Sequence, residues 1–196
     1  MLGILHLILS YPRQNYNPRG EGDAIPPRYS HRPLPAYRFV PGETPRPTRD
    51  PGGHSHLRDV QRPGAWRPED WREIEEWLWA IDLFNEEYWW ESHEALESLW
   101  HAAGRTTAPA RFVQALVHLS AACLNRRRGH RAAALRQAAR SVQALRTARA
   151  DGMTRTERAG PLVMGIDLDR LIGDIERSFA SNDASPIRIE LHLERA

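Results

Sequence analysis

The sequence predicts an all-α protein: a compact bundle of about five helices, with an extended proline-rich segment before it and a short extended tail after it. Apolar residues recur at helical spacing in several stretches after residue 68, twelve of the fifteen prolines precede Glu69, and all seven tryptophans lie between Trp66 and Trp100. Proline is excluded from helix interiors, so the prolines mark a separate segment. We therefore expect a Pro/Arg-rich extended or partly disordered preface over 1–68, a helical domain over 69–180 and an extended tail over 181–196.

The preface alternates Pro, Gly, Arg and aromatic residues from Tyr11 to Pro68 without a helical period. Such a segment is extended or disordered unless it lies on another surface, and its tyrosines and Phe39 indicate that its second half does so. The opening stretch MLGILHLILS is apolar, but it is too short for a membrane span and lacks the charged region of a signal peptide. We expect a soluble, cytoplasmic protein that does not enter a membrane.

The first helix is predicted to begin at Pro68, because Pro-Glu-Asp places a favoured proline and two acids in the first turn. Trp71, Ile74 and Trp77 then follow at helical spacing. A second helical pattern runs from about 82 to 103 and ends at Gly104, which is suited to the position after a helix C-cap.

Three further helices and a tail complete the predicted order. The third helix covers 109–128, the fourth covers 130–150, and the fifth covers 167–180 with Asp167 as its candidate N-cap. In the tail, apolar residues alternate strictly, which predicts one short strand or extended clasp. The alternating residues are Ile187, Ile189, Leu191 and Leu193.

Charge is segregated along the chain although the net charge is only +2. Residues 69–100 carry one Arg and eleven acids, whereas 101–158 carry twelve Arg and two acids. No lysine occurs, which excludes Schiff-base chemistry. The single cysteine, Cys123, excludes an intramolecular disulfide and a CxxC metal or redox site, and it fits a reducing compartment.

The second helix contains the residues that could carry chemistry. On a helical wheel Glu86, His93 and Glu97 fall on one line, flanked by tryptophans that include Trp100. His93 and Glu97 are four residues apart, so their side chains can reach one another or a shared ion.

The remaining acidic residues of the second helix form a separate stripe. We interpret this stripe, which includes Glu91 and Glu94, as the solvated face of the helix.

Three interpretations of His93 and Glu97 stay open at this point. They can be a hydrogen-bonded pair within an aromatic core, two ligands of a divalent metal ion, or a general base with its orienting acid. The stretch from His93 to Glu97 also matches the HExxH pattern of zinc proteases with the second histidine replaced by glutamate, which removes one expected ligand.

The third helix supplies a candidate partner for this pair. It is apolar on most sides, and its polar residues share one narrow stripe. We expect that stripe, which contains Gln114 and His118, to face His93 and Glu97, because buried polar groups need partners. His118 is therefore either a hydrogen-bonded histidine of the core or its edge, or a candidate third metal ligand.

The stretches LFNEEYWWESHEALESLWHAAGR, ARFVQALVHLSAACL and RRGHRAAALRQA resemble the bacterial and archaeal family of domain of unknown function 309. The family signature HxxxExxW matches His93, Glu97 and Trp100, and a preceding FN pair matches Phe84 and Asn85. The resemblance covers about 80–177, and TPRPTRDPGGHSH is similar to a preface in longer members, which extends the resemblance back to about residue 28.

The resemblance implies an all-α domain and a suspected metal or catalytic role for the HxxxExxW residues. This chain has Ala-Leu-Val-His at 115–118 where the family usually has Gly-Leu-Ile-Gln. It has Gly129 and His130 where the family usually has Gly-Asn.

Three functions follow from these patterns. The first is a small helical metal-binding protein or hydrolase-like enzyme with a divalent metal at His93 and Glu97, completed by Glu86, Gln114 or His118.

The second function is a non-catalytic binding module that uses the arginine-rich stretch 126–149. The acidic block before this stretch, the absence of base-stacking aromatics within it and the small net charge argue against nucleic acid as the partner.

The third is a structural or homo-oligomeric module that uses Trp66, Trp71 and Trp79 as partner contacts. The sequence does not decide whether the protein is an enzyme.

Overall fold

A computed structural model describes residues 28–57, 63–150, 155–157, 160–180 and 187–193. The described chain is mostly helical, which confirms the predicted fold class. A 3-10 helix, Pro68–Glu73, precedes five α-helices. These are α1 Glu75–Asn85, α2 Trp89–Ala102, α3 Ala108–Arg127, α4 Arg131–Ala150 and α5 Leu168–Ala180. The apolar stretch at 1–10 lies outside the described residues.

The predicted start of the second helix is wrong. The helical pattern across 82–103 is interrupted at Glu87, whose φ of 64° is left-handed, so α1 ends at Asn85 and α2 begins at Trp89. Two end signals are confirmed: Gly104 follows the C-cap of α2 with a φ of 83°, and the Asp167 carboxylate accepts the Arg170 backbone N–H at 3.0 Å at the start of α5.

A small antiparallel sheet lies between α4 and α5 in the chain, and the sequence analysis did not predict it. Its strands are β1 Arg155–Glu157, β2 Gly160–Val163 and β3 Ile166–Asp167, in the order β1-β2-β3. Leu162 lies opposite Asp167, and Val163 opposite Ile166.

The tail predicted as a strand or clasp is extended, but it is not assigned to the sheet. Ile187, Ile189 and Leu191 are buried as the alternation predicts, whereas Leu193 is 53% exposed. Backbone groups of the tail form hydrogen bonds with the rest of the protein. The His192 N–H, for example, donates to the Gly165 carbonyl at 2.8 Å.

The hydrophobic core is centred on α3, which packs between α2 and α4. Trp77 and Phe112 are fully buried, with ring centroids 5.9 Å apart, and burial of each such side chain contributes about 1.5–3 kcal/mol. Cys123 is buried in this core, and burial raises the pKa of its thiol to about 12. Within the described residues, no helix is both long and apolar enough to cross a membrane.

Residues 28–57 lie against α1 and α2 and are held there by buried carboxylates. Asp82 accepts the backbone N–H groups of Tyr29 at 2.8 Å and Ser30 at 2.9 Å, and the Ser30 hydroxyl at 2.7 Å. Phe39 is buried and packs edge-on against Trp90, with ring centroids 5.0 Å apart. The second half of the proline-rich segment therefore lies on the helices, as its aromatic residues indicated.

Candidate metal centre

Three side chains of α2 come together at its exposed edge. One ligand atom each from His93, Glu94 and Glu97 lies within 4.8 Å of the other two. His93 and Glu97 are half-buried, and Glu94 is exposed. Ligands of one four-coordinate zinc ion lie roughly 3–4 Å apart, so modest side-chain rotations would let these three share an ion.

Glu94 was missed as a candidate because the helical wheel assigned it to the solvated face. Its pKa is raised, first by partial loss of solvent and then by repulsion from Glu97 and Glu91, while His93 opposes the shift. A flexible glutamate next to a histidine can reach the same ion as a glutamate one turn further along the helix. The spacing His-Glu-x-x-Glu could therefore have identified Glu94 as a candidate ligand.

The His93 ring has a defined tautomer. Its Nδ1 lies 3.3 Å from the carbonyl oxygen of Val117 on α3, and a carbonyl only accepts hydrogen bonds, so Nδ1 carries the hydrogen. In the neutral ring Nε2 then holds a lone pair. A backbone carbonyl that fixes the second nitrogen in this way is a common feature of metal-binding histidines.

His118 on α3 has the same arrangement with a different partner. Its Nδ1 lies 2.9 Å from the Gln137 amide oxygen on α4, so Nδ1–H donates and Nε2 keeps its lone pair. Partial burial lowers the pKa of His118, and the charges of Arg140 and His93 lower it further, while the Gln137 bond opposes the shift.

The hydrogen-bond partner of His118 Nδ1 thus lies on α4, and the role of His118 as a third ligand beside His93 and Glu97 stays a prediction. Among the described residues, His118 is also not a member of the group of three that lies within 4.8 Å. It is nevertheless close enough to His93 for the two rings to interact electrostatically.

His101 lies one turn beyond Glu97 but has the opposite tautomer. Arg105 donates its Nε–H to His101 Nδ1 at 2.7 Å, so the neutral ring carries its hydrogen on Nε2, which lies 4.0 Å from Glu97. Neither nitrogen has a free lone pair in this state. His101 is therefore a partner of Glu97 and Arg105 and not a candidate ligand.

Two of the other predicted site residues have structural surroundings. Phe84 is buried in the core at 1% exposure. Asn85 Nδ2–H donates to the Ile189 carbonyl at 2.9 Å, and the Ile189 N–H donates to Asn85 Oδ1 at 2.8 Å. Phe84 thus packs in the core of the helix bundle, and Asn85 binds the tail to the end of α1.

The three remaining predicted residues lie at the end of α1, on α2 and on α3. Trp100 is half-buried and donates its indole N–H to the Arg105 carbonyl at 3.1 Å. Gln114 is half-buried one turn before His118 on α3, and Glu86 is the C-cap residue of α1. Within the described residues, Glu86 is not a member of the group around His93.

Glu91 is buried at 4% exposure, so its assignment to a solvated stripe is wrong. Its Oε1 accepts the Phe39 backbone N–H at 2.8 Å and lies 2.9 Å from His54 Nε2. Burial raises the pKa of Glu91, and the His54 hydrogen bond opposes the shift. The partners lie 37 and 52 residues away in sequence, so no local pattern could have identified them.

Several of the arginines in the stretch 126–149 have acidic or polar partners outside the acidic block of 69–100. Arg146 pairs with Glu176 of α5 at 2.7 Å, and Arg149 pairs with Asp169 of the same helix. Arg126 donates to the Ser178 hydroxyl at 2.6 Å. In the acidic block, by contrast, Asp82 and Glu91 accept backbone N–H groups of the proline-rich segment.

The tryptophans considered as partner contacts touch the chain itself. Trp71 is 5% exposed, so its predicted role as a surface contact is wrong. Trp66 donates its indole N–H to the Leu99 carbonyl at 3.0 Å, and Trp79 donates to the Pro33 carbonyl at 3.2 Å. Self-association stays a prediction.

An apolar groove of about 720 Å³ lies between α4 and α5. Val142, Ile175 and Phe179 are among its lining residues, and Arg146 and Glu176 lie at its polar side. None of the cluster residues on α2 lines it. The cavity and the His/Glu cluster are thus separate features.

The fold and the cluster together define a small helical protein with a histidine and two glutamates grouped on one helix. Residues 77–137 match the family model described as Domain of unknown function (DUF309), and the chain resembles this family. The match extends from α1 into α4 and contains His93, Glu97, His118 and Gln137. No curated protein and no solved structure matches the chain.

Proposed function

We propose that this protein binds a divalent transition-metal ion at the edge between α2 and α3. The ligands are His93 and Glu97, with His118 as a third ligand and Glu94 as an alternative carboxylate. The grouping of His93, Glu94 and Glu97 within 4.8 Å is the observation that supports the proposal most strongly. Imidazole nitrogen and carboxylate oxygen are ligands that zinc and its neighbours accept.

The tautomers of the two histidines support the same proposal. His93 and His118 each use Nδ1–H for a hydrogen bond to an oxygen of the next helix, and each keeps the Nε2 lone pair. The lowered pKa of His118 favours the neutral ring that a metal requires. Two histidines with purely structural roles would not need to have the same tautomer.

The chemistry that this centre supports is hydrolysis. A divalent ion held by three of these side chains would leave a position for water and would lower the pKa of that water. The remaining carboxylate of the His-Glu-x-x-Glu set can accept the proton that the water releases. We therefore propose metal-dependent hydrolysis as the activity class of this protein.

A metal titration of protein purified without an affinity tag tests the proposal. Calorimetry with Zn²⁺ should give one site per chain in the wild type, and mass spectrometry should find a stoichiometric metal after purification. His93→Ala and Glu97→Gln should each weaken binding by about tenfold or more, in line with the loss of one ligand.

The matched control is His31→Ala, because His31 is an exposed histidine whose recorded hydrogen bond uses its backbone N–H and not its ring. It should leave zinc affinity unchanged. No saturable zinc binding in the wild type, or equal binding in His93→Ala, would contradict the proposal. Circular dichroism of each variant separates loss of a ligand from loss of fold.

A further inference from the structure

Helices α2, α3 and α4 run alternately up and down, since short connections join them. Two hydrogen bonds fix their relative levels: His93 of α2 meets Val117 of α3, and His118 of α3 meets Gln137 of α4. The side chains of His93, His118 and Gln137 therefore lie at about the same level along α2, α3 and α4.

The next level along these helices follows from helix geometry. Neighbouring helices are antiparallel, so one turn in a common direction runs forward along α2 and α4 and backward along α3. From His93, His118 and Gln137 this turn leads to Glu97 on α2, Gln114 on α3 and Arg140 on α4. A carboxylate of the cluster, a half-buried amide and a guanidinium thus share one level beside the two histidines.

Arg140 lies in the middle of α4 and differs from the arginines nearer the end of that helix. Its side chain is exposed, and within the described part of the chain no ion pair is found for it. Arg146 and Arg149, by contrast, pair with acids of α5. Arg140 lies three residues beyond Gln137, whose amide oxygen is 2.9 Å from His118 Nδ1, so Arg140 shares the face of α4 that meets His118.

We propose that the metal centre binds a ligand that carries an oxyanion group, a carboxylate or a phosphate, and that Arg140 holds this group. This inference rests on the proposed function. The planar guanidinium offers paired N–H donors that match both anions, and the Gln114 amide supplies a further donor at the same level. The ion and Arg140 together would bind opposite ends of a small anionic ligand.

Calorimetry on protein loaded with one equivalent of Zn²⁺ at micromolar concentration tests the inference. Inorganic phosphate and sodium acetate are titrated in separate arms, which distinguish a phosphate site from a carboxylate site. At least one of the two should bind the wild type. Arg140→Gln should weaken that binding by about tenfold or more, because it removes a charge-assisted pair of hydrogen bonds.

Arg146→Gln is the matched control, because it removes the same charge from the same helix at a residue whose partner is Glu176. It should bind the anion as the wild type does, and both arginine variants should bind Zn²⁺ normally. Equal anion binding in Arg140→Gln, or no anion binding by a protein that binds zinc, overturns this inference and leaves the metal proposal standing. No zinc binding in the wild type overturns both.

Discussion

Asn85 and Ile189 are joined by two hydrogen bonds across 104 residues of sequence: the amide of Asn85 donates to the Ile189 carbonyl at 2.9 Å and accepts the Ile189 N–H at 2.8 Å. The Asn85 side chain thus makes the two hydrogen bonds that a neighbouring strand would otherwise make with the tail. Both backbone polar groups of the buried Ile189 therefore have a partner. Asn85 lies at the last position of α1, where the helix faces the tail.

Asn85→Ala should lower the free energy of unfolding by about 1–3 kcal/mol, because it leaves the Ile189 N–H and carbonyl without their partner. Urea denaturation measures the change. Asn125→Ala is the control, since the recorded hydrogen bond of Asn125 goes from its amide to a carbonyl of its own helix; it should cost less. Equal losses in the two variants, or an Asn85 variant that loses zinc affinity while staying folded, would assign Asn85 a different role.

The buried pair of His54 and Glu91 should be energetically coupled. His54 Nε2 lies 2.9 Å from Glu91 Oε1, and the two side chains are 6% and 3% exposed. A double-mutant cycle of His54→Ala and Glu91→Gln, followed by urea denaturation, should give a coupling energy of about 1–3 kcal/mol.

The exposed pair of Arg146 and Glu176 provides the control cycle for this measurement. Its side chains are 61% and 49% exposed, so solvent screening should keep its coupling energy below about 1 kcal/mol. A His54–Glu91 coupling no larger than that of the exposed pair would show that the segment 28–57 is held to α2 by other contacts.

Gly165 should tolerate no side chain. Its φ is 83°, and a Cβ atom there would lie 2.5 Å from the Trp71 ring. Gly165→Ala therefore combines left-handed strain with a clash against a buried indole. Gly42→Ala is the control, because Gly42 has a φ of 90° and no atom within 4 Å of the added methyl.

Thermal and urea denaturation should show that Gly165→Ala loses about 1–3 kcal/mol more than Gly42→Ala. The difference measures the clash with Trp71 alone, because both substitutions impose similar backbone strain. Equal effects in the two variants would mean that the indole moves aside without cost.

Local signals in the sequence predicted most of the helices. The bounds of α3, α4 and α5 agree with the prediction to within about one residue, because proline, glycine and Asp167 mark their ends. The boundary between α1 and α2 was predicted too early in the chain, because it depends on a left-handed glutamate, Glu87, which carries no local sequence signal. The sheet was missed because its strands are two to four residues long and turn through Met164 and Gly165.

The candidate site was predictable where its residues share one helix. His93 and Glu97 follow from their spacing of four, whereas the contact of Gln137 with His118 exists only because α4 packs on α3. The burial of Glu91 could not be predicted without knowing that His54, on the proline-rich segment, packs against it. Contacts between distant segments decide which acids are buried, and a helical wheel contains no such information.

The most direct test of the metal centre is anomalous diffraction at the zinc absorption edge from crystals grown with Zn²⁺. The proposal predicts a peak about 2.0–2.2 Å from His93 Nε2 and from a carboxylate oxygen of Glu97, with His118 Nε2 turned toward it. Absence of a peak at these residues in zinc-saturated crystals, or a zinc ion bound elsewhere while His93 Nε2 contacts only protein groups, would contradict it.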